Sequence, residues 1–296
     1  MKEVAVSVVI PAYNEAQGIG NVLAELHQLL ARTDLRYEII VVDDGSQDNT
    51  AAIVHAYPDV VLLRHKANRG YGAALKTGIR HAQTELICIT DADGTYPNER
   101  IPDLVRRLVE GGSDMIVGAR VGDNVAVPLM RRPAKWAIGV LANLVAGELI
   151  PDINSGLRVF KRSIVLRFFG ILPEGFSFTT TITLGMLTNG YVVDYVPIDY
   201  HTRLGRSKIH PIRDTLGFVE LILRIALYFA PLKVFVPLSA TLLLLAVVWG
   251  IFTRYVLGQL ADVSTMVLVV GAVQVASVGL LAELVNHRLP NSFREG

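Results

Sequence analysis

One cysteine, Cys88, occurs in 296 residues, so an internal disulfide is excluded, as suits a reducing compartment. It sits inside an apolar strand pattern, where buried packing is its expected role. No block of one charge, no low-complexity run and no repeated period is present, and the formal net charge is only +1. Nucleic-acid arms, disordered tails and solenoids therefore have no basis here, and no nucleic acid is expected as a partner. Histidine and cysteine clusters at zinc spacing are missing, and so is a G-x-x-x-x-G-K-[ST] phosphate loop. The nearest approach to a dinucleotide fingerprint, GYGAALKTG, has Leu75 where a third glycine should stand and follows the third strand. A Rossmann oxidoreductase is discounted on that ground. The opening MKEVAVSVVIPAYNE has an apolar run too short for a signal peptide, ending at Pro11.

Long apolar runs stand instead at the other end. Val234 to Phe252 and Val263 to Ala282 contain no charged side chain, and as helices each would span about 28 to 30 Å. Two buried core helices would be the soluble alternative, but two uncharged segments joined by about ten residues are hard to cover in a soluble fold. Two transmembrane helices, about 234–252 and 263–285, are expected. Arg203, Arg206, Lys208, Arg213, Arg224 and Lys233 precede the first, and His287, Arg288 and Arg294 follow the second, while the connection holds Arg254 and Asp262. The positive-inside rule places both termini in the cytoplasm of a multi-pass protein of the cell membrane. Just before the first span, Leu216, Val219, Leu223 and Leu227 share one helical face, so residues 211–231 read as an amphipathic helix lying along the interface.

In residues 1–210, runs rich in β-branched residues alternate with stretches of helical period. Strands are expected at Val4 to Ile10, Glu38 to Val42, Val60 to Leu63, Leu86 to Thr90 and Met115 to Val117. Ile19, Val22, Leu23, Leu26, Leu29 and Leu30 mark one helical face, and Tyr71, Ala74, Leu75, Gly78 and Ile79 another. The alternation predicts an α/β domain, a mostly parallel sheet with helices on both faces, whose ligands bind beyond the carboxyl ends of the strands. There the strands run into PAYNE, DDGSQDNT, DADG and GAR, so that Glu15, Asp43, Asp44, Asp91 and Asp93 would converge on one rim. Crowded like charges are costly unless something positive sits among them. Each stretch also has a plain reading: a proline-marked turn, a turn with Asp48 or Asn49 capping a helix from Thr50, and a turn with Gly94 left-handed. Three acid-bearing turns on one rim argue against the plain reading for all of them. Aspartates at i and i+2 can both present hard oxygens to Mg²⁺ or Mn²⁺, which commonly clamps a diphosphate.

VVIPAYNE, IIVVDDGSQDNT, NRGYGAALKTG and ITDADGTYP together resemble the family 2 glycosyltransferases of GT-A fold. INSGLRVFKR, VPIDYHTRLGRSKI and the hairpin beyond them resemble the branch that transfers sugars to polyprenyl phosphates, which includes dolichyl-phosphate mannose synthase. The likeness runs from Ser7 to about Lys233. It implies a Rossmann-like GT-A domain followed by an interfacial helix and a two-helix membrane hairpin. It also implies that Pro11, Tyr13, Glu15 and Asp43 line the base and ribose pocket, with Asp44 and Ala92 beside the nucleotide sugar. Asp91 and Asp93 would serve the metal and the diphosphate. Several members place a glutamine two residues after the second aspartate as a further metal ligand; here Thr95 stands there, and water would replace it. Arg120, Arg131, Ser155, Arg203, Ser207 and Lys208 would meet the lipid phosphate, which arginine forks and a lysine suit. A basic collar for anionic headgroups is the alternative use of these cations.

The activity so implied is inverting transfer from a UDP- or GDP-linked sugar to undecaprenyl or dolichyl phosphate. The acceptor oxygen is already anionic, so no general base is required; Asp152 could be a base or a sugar ligand, or simply a turn residue after Pro151. A processive polysaccharide synthase would carry Q-x-x-R-W, and neither Trp136 nor Trp249 lies in one. A non-catalytic membrane scaffold has no need of DAD or RSK. The choice of sugar and the oligomeric state, a homo-oligomer included, stay open from sequence.

Overall fold

The computed structural model describes residues 4–120, 139, 142–199, 226–228, 230–256, 258 and 262–288. Along the first part of the chain, strand and helix alternate as β1 (Ala5–Ala12), α1 (Ile19–Leu30), β2 (Arg36–Asp43), α2 (Thr50–His55), β3 (Val60–Arg64), α3 (Tyr71–His81), β4 (Leu86–Ile89), α4 (Ile101–Gly111) and β5 (Met115–Arg120). All five strands expected from β-branched content form. Two more follow, β6 (Arg158–Lys161) and, after α5 (Arg162–Arg167) and α6 (Phe178–Thr188), β7 (Val193–Ile198).

The seven strands form one sheet in the order β3-β2-β1-β4-β6-β5-β7. Within it only β6 runs antiparallel to its neighbours, so the expected mostly parallel sheet is present with one strand inserted against its grain. Side chains alternate along β1 because a strand has a period of two. Val6, Val8 and Ile10 pack with α1 and α4 on one face, while Val9 packs with α3, α5 and α6 on the other. Cys88 is fully buried in the first of these cores, and burial pushes its thiol up from the ordinary range; it is inert packing. The register aligns Ala12 with Asp43 and Val9 with Ile89. The carboxyl ends of β1 and β2 are therefore level, β4 stops three residues short of them opposite Val9, and the chain segments leaving all three line one cleft.

Beyond the sheet domain, α7 (Leu232–Val256) and α8 (Asp262–Arg288) pair as a hairpin. Ser239 Oγ donates to Ala272 O at 2.9 Å and Trp249 Nε1 to Ser264 Oγ at 2.8 Å, antiparallel contacts that place α7 against α8 along their length. Leu232–Val256 and Val263–Val285 are long and apolar enough to cross a membrane, and only 11% of each is buried against the rest of the protein. That exposure separates them from core helices, whose apolar surface would be covered. The predicted interfacial helix 211–231 lies mostly outside the described residues.

Candidate active site

Two loops on the rim are laced together before any ligand is considered. Asn14, left-handed at φ 54, donates its amide to Ser46 Oγ at 2.9 Å and accepts the amide of Gln47 at 2.9 Å. Glu15 N donates to Thr50 Oγ1 at 2.9 Å and Ala16 N to Asp48 Oδ2 at 3.1 Å. Asp48 also accepts Thr50 N at 3.0 Å just ahead of α2, whose N-cap Asn49 makes no side-chain cap bond, so Asp48 holds the start of α2 and braces PAYNE at once. The polar residues of DDGSQDNT thus fix the turn that carries Glu15.

Pro11, Tyr13, Glu15, Asp44, Asp91, Ala92 and Asp93 all line one cleft, beside Tyr71 and Phe176. Asp43, expected with them, is not in this wall: it is fully buried, accepting Arg64 Nε at 2.9 Å and Ser46 N at 2.9 Å. Strand alternation sends adjacent acids to opposite sides, so Asp44 turns to the cleft. Its carboxylate meets His65 Nδ1 at 2.6 Å and the amides of Arg69 and Gly70 at 2.9 and 2.8 Å. Those donors at the start of α3 offset charge that would otherwise crowd the rim.

Asp91 and Asp93 are held by different partners. Tyr71 donates its hydroxyl to Asp91 Oδ1 at 3.0 Å. Burial and then the Asp91 charge push that phenol well above its ordinary value, so it remains a donor. Asp93 Oδ1 accepts both the amide and the hydroxyl of Thr95, at 3.1 and 2.7 Å. Thr95, standing where several members of the resembled family have a glutamine, is fully buried and orients Asp93. Gly94 has φ 70, the left-handed turn expected of it. Among the described residues no cluster of three or more His, Cys, Asp or Glu side chains assembles for a metal. Two hard carboxylates lining one cleft fit Mg²⁺ or Mn²⁺, ions that complete their shell with substrate phosphate and water.

Beneath Asp91 lies the turn Asn154 to Gly156. A β-carbon at residue 156 would stand 2.9 and 3.0 Å from the Asp91 carboxylate oxygens, so glycine is needed for close approach. Gly156 N donates to Tyr96 Oη at 2.6 Å, and Ser155 Oγ donates to Gly118 O at 2.5 Å. Arg158, fully buried, donates through Nε to Ser155 O at 3.1 Å and through Nη1 to Thr183 Oγ1 at 2.9 Å and Thr179 O at 3.2 Å. The turn is clamped between β5 and α6. Sequence reasoning missed Tyr71, Gly156, Arg158 and Phe176; glycine beside serine in NSG and glycines flanking Tyr71 were the only local signals.

The residues assigned to lipid phosphate are placed less simply. Ser155 is fully buried with its hydroxyl committed to a strand carbonyl, which makes it a support of the site and not a surface donor. Arg120 forms a two-point ion pair with Asp152, Nε to Oδ2 at 2.6 Å and Nη2 to Oδ1 at 2.9 Å. Arg131, Arg203, Ser207 and Lys208 lie outside the described residues. Burial works to raise the Asp152 pKa, but hydrogen bonds and charge from Arg120 outweigh it, and the carboxyl ends below its ordinary value. A lowered folded pKa gives stability present above the unfolded value, near pH 3.9, and lost as pH falls through the folded one. Asp152→Asn should cost about 1.5–3 kcal/mol at neutral pH and flatten the loss of stability below about pH 4, read from thermal unfolding of the detergent-solubilised protein at several pH values.

Comparison with known proteins bears on this geometry. Residues 7–169 match the family described as Glycosyl transferase family 2, and residues 230–287 match the GtrB C-terminal hairpin. The chain is 30% identical to a dolichyl-phosphate hexose transferase of Haloferax volcanii, over 75% of this chain and 93% of that one. It is 29% identical to an undecaprenyl-phosphate 4-deoxy-4-formamido-L-arabinose transferase of Shewanella sediminis, over 95% of this chain and 87% of that one. In fold it resembles the glucosyl-3-phosphoglycerate synthase of Mycobacterium tuberculosis crystallised with Mn²⁺, UDP and phosphoglyceric acid, with a TM-score of 0.59 at 20% identity over 75% and 78% of the two chains. The family match begins in β1 and takes in Glu15, Asp44, Asp91 and Asp93, the acids that line the cleft of a GT-A sheet; this chain belongs to glycosyl transferase family 2.

Proposed function

We propose that the protein transfers a sugar, with inversion, from a UDP- or GDP-linked donor to a polyprenyl phosphate at the cytoplasmic face of a membrane. The observation that carries this is the union of an acid-lined cleft on the carboxyl rim with a long apolar hairpin in one chain. The two named transferases support it, since both act on polyprenyl phosphates by their names. Residues 1–210 form the catalytic domain, 211–231 the interfacial helix and 232–296 the membrane hairpin with both termini cytoplasmic.

In this mechanism Pro11, Tyr13, Glu15, Asp44 and Ala92 hold the nucleotide sugar, and Asp43 braces the loop behind them through Ser46 and Arg64. Asp91 and Asp93 would hold Mg²⁺ or Mn²⁺, which supplies charge neutralisation for the departing diphosphate. Arg131, Arg203, Ser207 and Lys208 bind the lipid phosphate, with Arg120 kept in place by Asp152 and the turn at Ser155 supporting the cleft. An acceptor phosphate oxygen forms the new bond to the anomeric carbon as the bond to the nucleoside diphosphate breaks, and the leaving electron pair goes to that diphosphate. No proton has to be removed from the acceptor, which agrees with the ion-paired state of Asp152.

The test is a panel of nucleotide sugars assayed against undecaprenyl and dolichyl phosphate in vesicles. One donor should yield a polyprenyl-monophosphate sugar, chelation should abolish the activity, and Mg²⁺ or Mn²⁺ should restore it. No transfer to either lipid from any donor would overturn the proposal. Lys208→Ala should raise KM for the lipid about tenfold or more and spare KM for the donor; the reverse pattern would exchange the two site assignments.

A further inference from the structure

Phe176 stands out in the cleft it lines by its exposure. Beside the carboxylates of Glu15, Asp44, Asp91 and Asp93 it is the large apolar side chain left most open, at 74%. It is not there through looseness of its turn. Ala73 N at the start of α3 donates to Glu174 O at 3.0 Å, and Phe178, two residues on, is fully buried in the core beneath α6. The ring itself lies on Tyr71 with centroids 5.5 Å apart and planes at 20°. Tyr71 in turn donates to Asp91 at 3.0 Å, so the exposed aromatic is one stacked ring away from a residue assigned to the diphosphate.

Its direction from the cleft is also informative. Phe176 stands two residues before the start of α6, and further along that helix Leu184 packs in a small apolar cluster with Ala142, Val145 and Ala226, against which Val234 at the start of α7 rests. Among the described residues, the wall that carries Phe176 is thus linked through α6 to the base of the apolar hairpin. A lipid entering from the membrane would reach the cleft past this wall.

Resting on the polyprenyl-phosphate reading above, we propose that Phe176, backed by Tyr71, is a specificity-determining contact for the first isoprenoid units of the acceptor. Of the groups that must meet in the cleft, only the acceptor continues from its phosphate into an extended apolar chain. A diphosphate and the hydroxyls of a sugar want hydrogen-bond donors and acceptors, while a nucleobase, which can stack on an aromatic ring, is assigned to the pocket of Pro11, Tyr13 and Glu15. Aromatic surface contributes to an apolar chain by area removed from water, a preference without directional demands. The ring thereby distinguishes a prenyl phosphate from inorganic phosphate or a polar phosphate ester.

The experiment uses the full chain in nanodiscs with its active donor sugar, comparing wild type, Phe176→Ala and Phe176→Leu. Phe176→Ala should raise KM for undecaprenyl phosphate about 10- to 30-fold and leave KM for the nucleotide sugar within about twofold, while Phe176→Leu restores most of the loss because apolar bulk is what is needed. Inhibition by a short prenyl phosphate such as geranyl phosphate should weaken in Phe176→Ala by a similar factor, and inhibition by inorganic phosphate should not change. A rise in donor KM without a rise in lipid KM would assign the ring to the sugar and overturn the inference, as would unchanged lipid KM in an active variant. Failure of the wild type to use any polyprenyl phosphate would instead overturn the functional proposal, and this inference with it. Thermal unfolding of each variant should match wild type, since the substituted side chain is exposed; Phe176→Leu provides the comparison if Phe176→Ala does not.

Discussion

Asp93→Asn is expected to reduce sugar transfer by about 10²–10³-fold or more with no loss of thermal stability. The substitution keeps shape and keeps an oxygen that can accept the two Thr95 bonds, now at 3.1 and 2.7 Å. What it removes is one negative charge from a cleft that already holds Glu15, Asp44 and Asp91. In the resting protein that charge is repelled by its neighbours, so its loss should leave the melting temperature unchanged or slightly raised. On the proposed mechanism the same charge would help hold a cation that offsets the departing diphosphate, so activity should fall while stability does not. Assay of transfer together with thermal unfolding separates the two, and full activity in the variant would sink the metal role of Asp93.

Gly156→Ala should cost about 100-fold in transfer rate and about 1 kcal/mol in stability. The added methyl would meet Asp91 Oδ2 at 2.9 Å, Oδ1 at 3.0 Å and Tyr96 Cε2 at 3.0 Å. The turn that bears it has little freedom to retreat: Gly156 N is bonded to Tyr96, Ser155 Oγ to Gly118 O, and the Ser155 carbonyl to buried Arg158. The conflict is relieved by moving Asp91, which breaks its 3.0 Å bond from Tyr71 and shifts a carboxylate proposed to hold the metal. The distinguishing readout is the concentration of Mn²⁺ or Mg²⁺ needed for half activity, which should rise in Gly156→Ala. Wild-type rate and metal requirement in that variant would show that Asp91 has room to spare, and that the close approach does not position it.

Much of this site could be read before any coordinates. A run such as ICIT followed by DADG announces a buried strand ending in polar chemistry, and the carboxyl-rim rule then gathers Glu15, Asp44, Asp91 and Asp93. The fate of Asp43 could not be read with equal ease. Adjacent acids at a strand end look alike in sequence, and which one faces the cleft depends on the phase of alternation against the sheet. Thr95 is a similar case: the sequence shows that it stands where several family members have a glutamine, but its two bonds to Asp93 come from the local turn around Gly94.

The sequence by itself determined the alternation of strand and helix, the acids at the strand ends and the uncharged hairpin, because each follows from periodicity or composition within one short segment. Only the tertiary structure decided that β6 enters between β4 and β5, with Ile87 opposite Phe160, that Gly156 lies against Asp91, and that Phe176 stacks over Tyr71. Those contacts join residues far apart along the chain. They are chosen by packing and by the pairing of backbone groups across the sheet, for which a local run of residues carries no record.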